Sequence, residues 1–283
     1  MFLESRRFAL AGLLLLTVGT THAEKVSKSE LDDKTYSGIV RCRDCDPQDS
    51  IDLGMLQTGT EPVFPKDFQC PGIDDGWAMD YGDRRAKVAF HGGIDIPMPF
   101  GSPILSVADG EVVAMFNNLE TPVGIRIFLR HKPEQTGLPF WTYSEYAHLQ
   151  ELPDLHVGQK VKRGDVVGLT SNTGISGQET REKNGGEIRK KIVRRPALHF
   201  SIMYSAQADY AVIQRSGGYL VPVNGRWMDP LVFFRGAPPY SSSEVAEMPS
   251  SDKRIQIPIQ LIDGKSVPER SKLTWPYACS PRP

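Results

Sequence analysis

Neither sign of charge dominates this 283-residue sequence: 33 Lys and Arg stand against 34 Asp and Glu, a formal net charge of −1. That balance removes the basic footprint expected of a chain that binds nucleic acid. Internal repeats and low-complexity tracts are missing, so nothing points to a stacked-repeat architecture. From Lys87 to Tyr204 no stretch keeps a helical period, which argues against a helical bundle. The apolar run FALAGLLLLTVG, beginning at Phe8, is too short for a comfortable membrane span.

That run has another reading. Arg6 and Arg7 precede it, and Thr21-His22-Ala23 follows with small residues suited to a cleavage site. The three parts describe a Sec-type signal peptide over residues 1–23, with the remaining chain exported to the periplasm or secreted and no stable membrane span left in it. The Ser5-Arg6-Arg7 context fits a twin-arginine signal poorly.

Cysteine is scarce, with four in the sequence: Cys42 and Cys45 as a CxxC pair, Cys70 and Cys279 alone. In an oxidising compartment an even number favours two disulfides, tying the N-terminal segment and the C-terminal tail onto the body. Three connectivities are open. A structural zinc site lacks a second CxxC, and a redox CxxC lacks a surrounding βαβ pattern.

Gly and Pro are plentiful, 26 and 22 residues, which suits a loop-rich β protein. Residues 24–85 read as an irregular, polar N-terminal extension. Residues 86–235 carry closely spaced β-like runs with Gly-rich punctuation: KVAF, SPILSVA, GEVVAMF, GIRIFLR, FWTYSEYAHL, QKVKRGDVVGLT and ALHFSIMY. They predict an all-β domain of antiparallel sheets, sheet or sandwich, with an open groove. Residues 236–283 open with the Pro- and Ser-rich GAPPYSSSEVAEMPSSDKR, read as a surface linker and tail in which RIQIPIQLIDG adds one strand.

Histidine is scarce as well: after the leader there are His91, His131, His148, His156 and His199. His91 opens HGGID, where two glycines let the backbone bend until the imidazole and the Asp95 carboxylate face one point. Such a pair offers two zinc ligands and needs a third from elsewhere. His156 sits in a turn and is assigned nothing.

The run HGGIDIPMPFGSPILSVADGEVV resembles the opening of the lysostaphin/LytM-type zinc endopeptidases. GIRIFLRH, YAHL, VGQKVKRGDVVGLTSNTG and PALHFSI follow in that family's order, over roughly residues 86–205. The resemblance implies zinc held by His91, Asp95 and His199, with a water at the fourth position activated for attack on a peptide carbonyl. It assigns one flanking catalytic histidine to His148. The other falls on Ala197, whose methyl group can neither move a proton nor stabilise an oxyanion; such a positioned group is typically worth about 10²–10⁴-fold in rate.

His131 and Tyr146 either line the groove and its substrate or serve as packed, hydrogen-bonded residues. Phe140, Trp141 and Tyr143 are expected in the core and groove wall. The charged segment 178–195 looks inserted. It reads either as a solvated hairpin around Asn184-Gly185-Gly186, or as a cleft rim in which Glu179, Glu182 or Glu187 lends a base or the cations hold an anionic peptide. The implied function is hydrolysis of peptide cross-links in bacterial peptidoglycan. The alternative is a weak or inactive domain that binds peptidoglycan or regulates a wall amidase.

Overall fold

Seven strands form one antiparallel sheet: β1 (Ile94–Pro97), β2 (Gly110–Phe116), β3 (Arg126–His131), β4 (Trp141–Ala147), β5 (Lys160–Val161), β6 (Ala197–Ser205) and β7 (Arg226–Met228). Their order is β5-β2-β3-β4-β6-β7. On its far edge β6 pairs first with β1 and then, further along, with β7. The computed structural model describes residues 25–42, 44–73, 84–85, 89–174, 183–184, 187–188, 195–214 and 217–282. The expected leader, residues 1–23, lies outside them, as do Glu179, Glu182 and the side chain of Glu187. Within the charged segment, the backbone of Lys183–Asn184 pairs antiparallel with Glu187–Ile188.

The long strand β6 sets the layout. Side chains alternate along a strand, so Leu198, Phe200 and Ile202 enter one core while Ala197, His199, Ser201 and Met203 share the opposite face. Both faces are covered. On the first, Val232, Phe233, Ile257 and Trp275 pack from the C-terminal part of the chain. On the second, Ile39, Val40, Leu53 and Met55 pack from the N-terminal part. Strand β3 is buried along its whole length for this reason, like strands of sheets covered on both sides.

The N-terminal extension is therefore not irregular. It contains α1 (Asp33–Val40) and α2 (Pro47–Asp52), each started by an aspartate. The Asp32 side chain accepts from the Thr35 amide at 2.8 Å, and Asp46 accepts from Gln48 with Pro47 at the first helical turn. The tail is not a surface linker either. Ser241 caps α3 (Ser242–Ala246), whose Val245 is fully buried. The alternating RIQIPIQ run gives two short strands rather than one. Arg254–Gln256 lies parallel to Glu61–Val63, and Ile259–Gln260 pairs with Ser266–Val267. Trp275 fixes the junction: its indole N–H donates to the Pro71 carbonyl at 2.8 Å, and Phe64 stands edge-on at 5.3 Å.

Both disulfides are present, Cys42–Cys45 and Cys70–Cys279. The second joins the N-terminal segment to the tail, whereas the first closes a local turn and ties nothing to the body. Among the described residues no helix is long and apolar enough to cross a membrane.

His131 and Tyr146 belong to the core, the packed, hydrogen-bonded alternative of the two that the sequence leaves open. The register pairs Tyr146 with Phe200 and Ala147 with His199, so period-two alternation sends Tyr146 to the face opposite His199. Both residues are fully buried. His131 bonds the Asp109 carbonyl at 2.8 Å and the Ser144 hydroxyl at 2.7 Å, and the Tyr146 hydroxyl accepts from the Val107 amide. Burial pushes the His131 imidazolium down to about 4, against the pull of the Asp109 carbonyl. The folded chain keeps this ring neutral while the unfolded chain protonates it near pH 6.5. Stability should therefore be unaffected above pH 6.5 and fall by about 3 kcal/mol as pH drops towards 4. Denaturant unfolding of wild type and His131→Gln between pH 7 and 4.5 checks this: the variant should lack that part of the slope.

Candidate metal centre

Three donors converge where β1 meets β6. Asp95 lies opposite His199 in the β1–β6 register, and His91 enters from the turn that precedes β1. His91 Nε2 is 3.3 Å from Asp95 Oδ1, His199 Nδ1 is 3.2 Å from the same oxygen, and the two nitrogens are 3.0 Å apart. All three residues are buried. Zinc bonds to such donors are about 2.0 Å, which sets neighbouring corners of a tetrahedron roughly 3.3 Å apart. The three distances are close to the edges of one such face. The donor set, two imidazoles and one carboxylate, suits zinc and leaves one position for water. As a hydrogen-bonded trio the same atoms would need protons between mutually facing acceptors; a divalent cation satisfies all of them.

The local sequence makes this approach possible. Gly92 takes φ +77° in the turn, a conformation that strains other residues. At Gly93 a Cβ would sit 2.6 Å from the Phe200 carbonyl oxygen and 2.8 Å from His199 Cε1. Gly93→Ala should therefore displace the His199 ring and weaken cation binding by about 10–100-fold, the range seen when groups that orient a ligand are lost. Chelator competition on the folded variant measures it.

Asp95 is the charged partner of the pair of imidazoles. Burial alone would raise its carboxyl, but hydrogen bonds from His199 and His91 hold it well below the usual carboxylate range. It is therefore an ionised donor at neutral pH.

His148 stands beside the trio, its ring centroid 6.0 Å from that of His199 and nearly perpendicular to it. Its φ of +62° is a left-handed value, uncommon for a non-glycine residue and concentrated at functional sites. Two contacts hold it there. The His148 amide donates to the Val123 carbonyl at 3.0 Å, and Nδ1 lies 2.6 Å from the Thr173 carbonyl. A carbonyl only accepts, so Nδ1 carries the proton and Nε2 is the basic nitrogen of the neutral ring. Ala197 is buried on the His199 face of β6, opposite Pro97, and places a methyl group there.

The remaining expectations divide clearly. His156 is exposed and distant from the chemistry in its pairing, its amide bonded to Gln159. Tyr143 is a core residue whose hydroxyl donates to the Ala208 carbonyl, while Phe140 packs on Tyr204 and Tyr240. Trp141 lies under Arg130.

Two groups near the site went unnoticed in the sequence. Arg41, from the end of α1, donates to the His91 carbonyl at 3.4 Å. Glu145, in β4, is buried on the His199 face and accepts from Arg126 at 2.6 Å and from the Ser201 hydroxyl at 2.8 Å. A lone acid inside the apolar run WTYSEYAHL was the available signal for the second.

The family model for peptidase family M23 matches residues 89–210. The peptidoglycan DD-endopeptidase ShyA of Vibrio cholerae is 33% identical over 114 residues, 38% of this chain and 24% of ShyA. An uncharacterized metalloprotease of Buchnera aphidicola is 35% identical over 86 residues, 30% of this chain and 20% of that protein. The matched part thus spans about a quarter or less of either relative's length. The catalytic domain of lysostaphin from Staphylococcus simulans aligns at 22% identity and a TM-score of 0.31, covering 43% of this chain and 73% of that one. Residues 89–210, which hold every donor of the convergent trio as well as His148, match peptidase family M23 as a domain of the LytM/lysostaphin type.

Proposed function

We propose that the chain is an exported, zinc-dependent endopeptidase that hydrolyses peptide cross-links of bacterial peptidoglycan. The observation that carries this reading is the near-tetrahedral face formed by His91, Asp95 and His199. The name of the ShyA relative supports the substrate class, and the signal-like residues 1–23 with two disulfides support export.

Zinc bound there would polarise the scissile carbonyl and make water acidic enough to attack near neutral pH. His148 Nε2 accepts the water proton and returns it to the departing amine. The Thr173 carbonyl holds the required tautomer and stabilises the imidazolium as it forms, as an orienting acceptor does for a catalytic histidine. Asp95 supplies a fixed negative charge among the ligands.

Ala197 leaves the second flanking role without a side chain. Ala197→His should raise turnover, with a ceiling of about 10²–10⁴-fold. Release of new amine ends from purified peptidoglycan, with and without a chelator, reads both the activity and the gain. Wild type that holds peptidoglycan but releases no amine ends would favour a wall-binding domain, the reading that the Ala197 methyl group supports.

A further inference from the structure

The cluster of Glu145, Arg126 and Ser201 has no role in the proposed chemistry, and its cost calls for one. Glu145 and Arg126 are both buried. The Arg126 guanidinium lies 5.3–5.4 Å from the ring centres of Phe116, Phe128 and Tyr219, and it also donates to the Gly218 carbonyl. Removing two charges from water is expensive, and apolar side chains of similar volume often serve stability as well or better. Packing alone does not account for the pair.

Its position does. Glu145 pairs with Ser201 in the β4–β6 register, and the next pair on the same face of these strands is Ala147 with His199. Residues two apart on a strand face the same side, so the carboxylate and the His199 imidazole project from one face, one pleat apart. Arg126 and Ser201 take one carboxylate oxygen each, fixing the group's orientation. Burial raises the Glu145 carboxyl, but Arg126 and then His199 more than offset this and keep it below the usual range.

We infer that Glu145 is a positioning residue of the metal site: its oriented, buried carboxylate places a fixed negative field on His199 and so raises the site's affinity for a divalent cation. This rests on the zinc reading above. Glu145 touches neither cation nor substrate; it acts through His199. Groups that act behind a metal ligand in this way are typically worth about 10–100-fold in affinity.

The test is zinc affinity by chelator competition on full-length chains, with far-UV circular dichroism and thermal melts of the metal-free forms. Wild type should bind one zinc; if it does not, the zinc reading fails and this inference is not the cause. Given binding, Glu145→Gln keeps the shape, loses the charge and should weaken zinc by about 10–100-fold. Ser201→Ala keeps the charge and should stay within about threefold. Should Glu145→Gln not fold, the double variant Arg126→Met/Glu145→Met replaces the whole pair by apolar volume, and it should fold and bind zinc about 10–100-fold more weakly. Wild-type affinity in either charge-removing variant overturns the inference. So does an equal loss in Ser201→Ala, which would mark the cluster as merely structural.

Discussion

His199→Ala should strip the chain of zinc, taking it from about one ion per molecule to near none. The physical basis is the count of donors. Four-ligand structural zinc sites gain about 10–16 kcal/mol, roughly 3–4 kcal/mol per ligand. Each 1.4 kcal/mol is tenfold in affinity, so a site reduced from three protein ligands to two should weaken by about two orders of magnitude or more. His199 Nδ1 stands 3.0 and 3.2 Å from the other two donors, so its loss opens one corner of the face that all three form. Peptidoglycan hydrolysis should fall to background with the metal. Metal analysis after dialysis, on wild type and variant with matching circular dichroism, checks it; a wild type without zinc sinks the proposed function.

Removing the Cys70–Cys279 bridge should be the costliest change to stability that leaves the site chemically intact. The two cysteines are separated by 209 residues. Chain-entropy reasoning gives about 5 kcal/mol at 25 °C for a loop of that length, and measured losses of native bridges run about 2–5 kcal/mol. The Cys42–Cys45 bridge spans a separation of 3 residues and by the same relation contributes about 2 kcal/mol or less. Cys70→Ala/Cys279→Ala should lower the melting temperature by roughly 10 °C, and Cys42→Ala/Cys45→Ala by much less. Equal shifts in the two pairs would show that loop length is not what matters. The tail should loosen first, because Cys279 also anchors it through its amide to Gln260 and its carbonyl to Ile262.

The β core was legible because its signals are local. Apolar runs such as GEVVAMF and GIRIFLR, rich in Val, Ile and Phe, match β2 and β3 almost residue for residue. The site was legible through the HGGID spacing and the ordered blocks. What the sequence hid was register. Nothing in WTYSEYAHL says that Ala147, not Tyr146, stands opposite His199. A one-residue slip exchanges the faces, and so the roles, of Tyr146 and Glu145. The extensions were misread for a different reason. Helices of 8 and 6 residues are shorter than a window in which helical periodicity can be seen. Their only marks are caps, Asp32 and the Asp46-Pro47 pair, and those were passed over. In the tail, serine and proline set the composition, while burial rests on a few residues, Ile255, Ile257, Trp275 and Tyr277.

The covering of the sheet gives the matched residues an unexpected dependence. One lid is built from residues before His91 together with the paired segments Tyr210–Ile213 and Tyr219–Pro222, and the other largely from residues after Met228. The stretch that matches a peptidase family is thus the middle of a sandwich whose outer slices come largely from the flanking residues. Cut to residues 89–210, it would lose the cover that Val232, Phe233 and Trp275 give one side and Ile39, Val40 and Met55 give the other. Any change in the flanks, however distant from His199 in sequence, is therefore a change to the walls that hold it.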